Sequence, residues 1–261
     1  MQRVAILVLL TALAWGRVGA AELQKMTWTV DGVLREALVR VPAKRPADGY
    51  PVVFAFHGHG GSMTNASRSF PIHEKWPEAL VVYPQGLPTK GQLTDPAGSQ
   101  AGWQGMAGVE GDRDLKFFDA MLTDLKKRYA IDARRIYATG HSNGGGFTYL
   151  LWAERGDTFA AMAPSSALLA KGFRKFQPKP VLHVGSPQDE LVKFSWQKRM
   201  LDYVLKLNQC GPLKPEAMGY TVYPSQSGNE VAVYLHTGGH RYPSDVAPEL
   251  IVKFFQAHRG R

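Results

Sequence analysis

The stretch Arg135-Ile136-Tyr137-Ala138-Thr139-Gly140-His141-Ser142-Asn143-Gly144-Gly145-Gly146-Phe147 decides how the chain is read. Its first residues include β-branched and aromatic side chains and predict a buried strand. Gly140 to Gly144 predicts a sharp turn, and Phe147-Thr148-Tyr149-Leu150-Leu151-Trp152 predicts a helix. Strand, tight turn and helix is the setting in which Gly-x-Ser-x-Gly becomes a nucleophile elbow. The flanking glycines have a steric task there, because a side chain at either position would strike the neighbouring strand or helix. Ser142 is expected on strained backbone at the strand's carboxyl end, with its hydroxyl presented outward. The backbone N–H of Asn143 would sit at the helix N-terminus, where partial positive charge collects.

Glycine-rich loops also carry this motif by chance, so the rest of the chain must supply a base, an acid and an oxyanion hole. On the N-terminal side, Gln24 to Val30 and Arg35 to Val41 alternate apolar and polar residues around the turn signal Asp31-Gly32, predicting an antiparallel hairpin. Pro51 to Phe56 is a continuous apolar run, as in a strand buried on both faces, and ends in His57-Gly58-His59-Gly60-Gly61. Ala79 to Pro84 is the next strand. Gln85 to Gly111 is a long, weakly periodic loop of the kind that is usually functional or mobile. Asp112-Arg113-Asp114 opens a helix, with Asp112 or Asp114 as its cap, and Leu115, Phe118, Met121, Leu122, Leu125 and Tyr129 fall on one face.

On the C-terminal side, Phe159 to Pro164 and Pro180 to Gly185 predict strands, the second leading into Ser186-Pro187-Gln188-Asp189. Ser195 to Leu207 is helical, Tyr220 to Tyr223 and Glu230 to Leu235 are late strands, and Pro248 to His258 is a closing helix. The alternation predicts an α/β fold: a mainly parallel twisted sheet of about eight strands, with the antiparallel hairpin at its start and helices on both faces. In such sheets ligands bind outside the carboxyl ends of the strands. His57 to Gly61, Ser142, Asp189 and His240 all fall at such ends.

A serine hydroxyl needs a neutral imidazole to take its proton and a carboxylate to orient that imidazole. Eight histidines compete. His57 and His59 belong to the glycine-rich loop, and His141, adjacent to the serine, would point elsewhere. His73 and His258 have no supporting context, and His183 and His236 lie inside strands, where a hydrogen-bonded core histidine is the default. His240, in Thr237-Gly238-Gly239-His240-Arg241-Tyr242-Pro243, follows a strand near the C-terminus and suits the order serine, acid, histidine. The acid should lie between Ser142 and His240, after a strand. Asp189 is the choice, with Glu190 its nearest rival. Asn143 N–H supplies one oxyanion donor, and the second is expected from His59 or Gly60, where glycines let backbone approach a ligand. The reaction class is acyl transfer to water. The sequence carries no metal-ligand spacing, phosphate loop or dinucleotide fingerprint, so no metal or cofactor is expected.

The chain has 261 residues, 44% of them hydrophobic, enough for one domain with a sizeable core. Arg3, the apolar run from Val4 to Trp15 and the small residues Val18-Gly19-Ala20 predict a signal peptide over residues 1–20, cleaved after Ala20 or Ala21, and a catalytic domain over residues 21–261. The run is short for a membrane span, and no cysteine lies near the cleavage site to carry a lipid anchor. Export to the periplasm or medium is the expectation. Net charge is +9, or +7 once Arg3 and Arg17 leave with the leader. The basic residues are dispersed apart from Lys171, Arg174, Lys175 and Lys179, and no nucleic-acid motif accompanies them. Cys210 is the sole cysteine and excludes an intramolecular disulfide.

Together these motifs resemble the α/β-hydrolase esterases that include polyhydroxybutyrate depolymerases and feruloyl or acetyl-xylan esterases. The resemblance rests on His57 to Gly61, Tyr83-Pro84-Gln85-Gly86, Ile131 to Tyr137, Gly140 to Gly145, Phe159 to Pro164 and Gly238 to Pro243. It implies the same serine, acid and histidine, an ester substrate such as a polysaccharide or polyester, and a role for Trp103 in the substrate wall. His57 and His141 are expected to line the same site. A non-catalytic binding protein on this scaffold and a serine peptidase or acyltransferase of the same fold are the competing readings.

Overall fold

The computed structural model describes residues 22–214 and 217–260. The expected signal peptide lies outside the described residues. β1 (Gln24–Val30) and β2 (Val33–Arg40) pair antiparallel. Between them Asp31 and Gly32 have φ of 49° and 77°, the left-handed pair that a two-residue hairpin turn requires. β3 (Tyr50–Phe56) follows, then the short helices α1 (Met63–Ser69) and α2 (Ile72–Lys75), and β4 (Leu80–Pro84). The long loop after β4 contains a small antiparallel pair, β5 (Leu87–Pro88) with β6 (Ala101–Gly102). Then come α3 (Arg113–Arg128), β7 (Ile131–His141), α4 (Asn143–Arg155), β8 (Ala161–Ser165), β9 (Val181–Gly185) and α5 (Phe194–Leu207). β10 (Gly219–Tyr223), β11 (Val231–Leu235) and α6 (Ala247–Ala257) complete the described chain.

Among the described residues nine strands form one sheet, in the order β1-β2-β4-β3-β7-β8-β9-β11-β10. β4, β3, β7, β8, β9 and β11 run parallel, and antiparallel strands close both edges. The apolar runs read from the sequence are these central strands. Every residue of β3 is buried. Successive side chains alternate between faces: Val52, Phe54 and Phe56 join the core under α3, α4 and α5, whereas Val53 and Ala55 join the core under α1, α2 and α6. Full burial of one such side chain contributes about 1.5–3 kcal/mol. No helix among the described residues is long and apolar enough to cross a membrane.

The start of α3 departs from expectation. Asp112 occupies the cap position, but in a left-handed conformation and without a side-chain bond to the helix. Its carboxylate instead accepts from Gly108 N–H and the Gln104 amide, both at 2.8 Å. Gln104 Oε1 takes the helix N–H groups of Asp114 and Leu115. The cap is therefore a buried loop glutamine, supplied by tertiary contact rather than by the local pattern. Asp114 pairs with Arg35 of β2 at 2.8 Å, both side chains enclosed, and the Arg35 guanidinium lies 4.2 Å from the Phe117 ring centroid.

Parallel strands end on one edge of the sheet, and the register aligns those ends. Phe56 lies opposite Gly140, His141 opposite Ser165, Ser165 opposite Val184, and Gly185 opposite Leu235. The residues that follow these positions therefore converge.

Candidate active site

Ser142 leaves β7 with φ 56° and ψ −120°, a conformation costly for any L-residue. Its N–H bonds to Ser165 O, and its carbonyl accepts from Gly146 N–H as α4 begins. The two motif glycines make this turn sterically possible. A Cβ on Gly140 would lie 2.4 Å from Gly144 O, and one on Gly144 would lie 2.3 Å from Phe56 O. These are backbone atoms and cannot step aside. Asn143 opens α4, so its backbone N–H is among those that a helix start leaves without an intrahelical acceptor.

The loop after β11 carries His240 to the serine. His240 Nε2 lies 2.8 Å from Ser142 Oγ, and Nδ1 lies 2.9 Å from Asp189 Oδ2. Asp189, in the turn after β9, is 4% exposed. Its Oδ1 accepts the N–H groups of Leu191 and Val192. Burial by itself would raise this carboxyl, but the bonds from His240, Val192 and Leu191 prevail and hold it below the usual range. Glu190, the rival acid, is exposed.

The loop after β3 crosses this centre. A Cβ on Gly58 would come 3.7 Å from Ser142 Cβ. Gly60, one of the two candidate oxyanion donors, already donates its N–H to Ala101 O at 2.7 Å. That bond binds the loop to β6 and takes Gly60 out of the choice. The His59 N–H has no acceptor among the described residues. The His59 ring reaches into the long loop, where Nε2 meets Asp95 Oδ2 at 3.2 Å. Asp95 also accepts from Gln100 N–H, Ser99 Oγ and Gly98 N–H, and the bonds from Gln100, His59 and Ser99 lower its carboxyl to about 2.

Trp103 and His57 stand elsewhere than the substrate wall. Trp103 is 1% exposed, stacked on Phe147 and edge-on to Phe56. A buried indole N–H needs an acceptor, and this one finds His57 O at 2.9 Å. His57 is also enclosed: Nε2 accepts from Gly86 N–H, so Nδ1 carries the hydrogen that meets Gly58 O. Both residues brace the loops around the centre from within the core. His141 does border the centre. Its ring packs 4.9 Å from that of His240, with Nδ1 3.1 Å from Ser165 Oγ. Burial, and next the neighbouring His240, lower it to about 3, so it is neutral.

Comparison with known proteins follows the same lines. The prolyl oligopeptidase family matches residues 99–207, a span that holds Ser142 and Asp189. A probable feruloyl esterase C of Aspergillus clavatus is 26% identical over 240 residues, covering 85% of this chain and 84% of its own. The chain is similar to α/β-hydrolase esterases in sequence and in fold. A bifunctional acetylxylan esterase/xylanase of Neocallimastix patriciarum is 28% identical over 127 residues, 48% of this hydrolase. The matched segment spans only 18% of that larger protein. A solved ferulic acid esterase superposes with a TM-score of 0.63 at 14% identity, covering 91% of this chain and 98% of its own, a likeness of fold.

The side chain of Asn143, named from the sequence only for its backbone, and two residues of this hydrolase that the sequence reading passes over, Gln197 and Asp95, shape the site. Asn143 uses its side chain as well as its backbone: Oδ1 accepts from Trp103 N–H and Nδ2 donates to Trp103 O, fastening the long loop to the start of α4. The polar position inside the elbow motif was the available signal. Gln197 donates to Asp189 Oδ2 at 3.0 Å from within α5. Asp95 had no local signal at all, because its partners are gathered by the loop's tertiary path.

Proposed function

We propose that the protein is an exported serine esterase that hydrolyses carboxylic esters through an acyl-enzyme. The observation that carries this reading is the unbroken chain of contacts from Ser142 Oγ through His240 to Asp189, at 2.8 and 2.9 Å, on the edge where the parallel strands end. Ser142 Oγ attacks the acyl carbonyl while His240 Nε2 takes its proton. Asp189 holds Nδ1–H and stabilises the imidazolium. The oxyanion rests on the backbone N–H groups of Asn143 and His59, each of a kind worth about 3 kcal/mol in the transition state. His240 returns the proton to the departing alkoxide. It then deprotonates a water molecule, whose attack releases the acid and restores Ser142.

The feruloyl and acetylxylan esterases among its relatives favour acylated polysaccharides as substrate class, with hydroxybutyrate polyesters the alternative. Hydrolysis of feruloyl, acetyl and hydroxybutyrate esters, compared side by side, orders these. A fluorophosphonate probe should mark Ser142 in the folded protein, and Ser142→Ala should lose p-nitrophenyl acetate turnover. No adduct and undiminished turnover in that variant would sink the reading. The match to the prolyl oligopeptidase family favours a second reading, cleavage of peptides by the same three residues. Faster turnover of prolyl peptides than of esters would establish it. Export rests on the leader, and the secreted chain should begin at Ala21 or Glu22 by N-terminal sequencing.

A further inference from the structure

Behind Asp189 lies a run of enclosed polar side chains that none of the hydrolytic steps uses. Tyr149 of α4, His183 of β9 and Gln197 of α5 are at most 1% exposed. Tyr149 Oη lies 2.9 Å from His183 Nδ1, and His183 Nε2 lies 3.1 Å from Gln197 Oε1. Gln197 Nε2 lies 3.0 Å from Asp189 Oδ2 and 2.6 Å from Val192 O.

Only one arrangement of hydrogens satisfies every member. The Gln197 amide must turn its NH₂ toward Asp189 and Val192, since the reverse would set its oxygen against a carboxylate and a carbonyl. Gln197 Oε1 then accepts, so His183 carries its hydrogen on Nε2 and accepts from the Tyr149 hydroxyl on Nδ1. Burial, the largest influence on this imidazole, lowers it to about 4, which keeps it in that neutral tautomer. The space is reserved for this contact: a Cβ on Gly185 would lie 2.8 Å from Gln197 Oε1.

We propose that Tyr149, His183 and Gln197 form a positioning relay that fixes the Asp189 carboxylate in the one orientation from which Oδ2 meets His240. The proposal rests on the roles given to Ser142, His240 and Asp189 above. Asp189 Oδ1 is held by backbone of its own turn, whereas Oδ2 is held against rotation by the Gln197 amide. That amide is indexed through His183 to Tyr149, which sits about two turns into the helix that Ser142 opens. One helix thus sets the nucleophile at its start and the acid through its side. Gln197 is a positioning residue and touches no reacting atom.

Gln197→Met keeps length and apolar fill but removes the donor. We expect its p-nitrophenyl acetate kcat to fall about 10- to 100-fold with KM within about twofold of the parent. Gln197→Glu, of equal size, sets a carboxylate against Asp189 and should lose at least as much. Tyr149→Phe deletes only the far hydroxyl and should lower kcat about threefold in a folded protein. In proton NMR the low-field Nδ1–H resonance of His240 should move in Gln197→Met and in Tyr149→Phe, a change that mere loosening of the core does not produce. If Ser142→Ala is inactive while the Gln197 and Tyr149 variants keep parental kcat and an unmoved resonance, the relay is overturned and the three-residue reading stands. Parental turnover in Ser142→Ala overturns both.

Discussion

Asp189 and Glu190 are adjacent carboxylates with opposite surroundings. Asp189 is enclosed and accepts from two backbone N–H groups, Gln197 and His240. Glu190 is exposed to water. A carboxylate orients an imidazole only where it is fixed and ionised, and the hydrogen bonds on Asp189 supply both conditions. Asp189→Asn should therefore lower kcat about 10⁴-fold by favouring the wrong imidazole tautomer. Glu190→Gln should leave kcat within about twofold, as expected for a side chain outside the hydrogen-bond chain. Steady-state hydrolysis of p-nitrophenyl acetate by the two variants decides between them. The same contrast separates the histidines. His57 and His183 are spent on structural bonds, and His141 forms a neutral side of the centre.

At the scale of elements, the loop from Gln85 to Gly111 is held by residues far from it in sequence. Asn143 fastens it at Trp103, and His59 meets Asp95 within it. Gln104 ties its last part to Asp114 at the start of α3, and the Asp114 carboxylate also forms the buried pair with Arg35. Removing one partner of a buried pair leaves an uncompensated charge. Arg35→Ala should therefore cost about 3–5 kcal/mol in urea-induced unfolding. Arg35→Met combined with Asp114→Leu should recover part of that loss, since no charge then remains buried. An equal loss in single and double variants would refute the charge explanation.

At the scale of the molecule, burial lowers His57, His73, His141, His183 and His236 in a basic protein. Of these, His141 falls to about 3 and His183 to about 4. Their unfolded counterparts titrate near 6.5. Below that value the unfolded chain takes up protons that the folded one refuses, so stability is complete above it and declines as pH falls. Between pH 7 and pH 5 His141 and His183 should each remove roughly 2 kcal/mol. Asp189 adds to the trend at lower pH, because its depressed carboxyl contributes stability that is lost as pH falls through its folded value. Urea unfolding at pH 7 and pH 5 measures the histidine contribution, and equal stability at the two values would contradict it.

The antiparallel β10 edge was not legible in the chain itself, whereas the order of the long elements, the mainly parallel sheet with its antiparallel entry hairpin and the elbow were. They depend on local rules: β3 is apolar at every position because both of its faces are covered, Asp31-Gly32 is a two-residue turn, and Gly140 and Gly144 flank a serine. Ser142, Asp189 and His240 could be named because strand ends converge in a parallel sheet whatever the loops do. Contacts between distant segments were not legible. Trp103 was expected on a wall and lies in the core, since only the fold places Phe56, Phe147 and His57 O around it. The choice between His59 and Gly60 turned on Ala101, and the cap of α3 on Gln104. Hydrogen bonds are made to whichever group lies within about 3 Å, and for these residues that neighbour is chosen by the path of the whole chain.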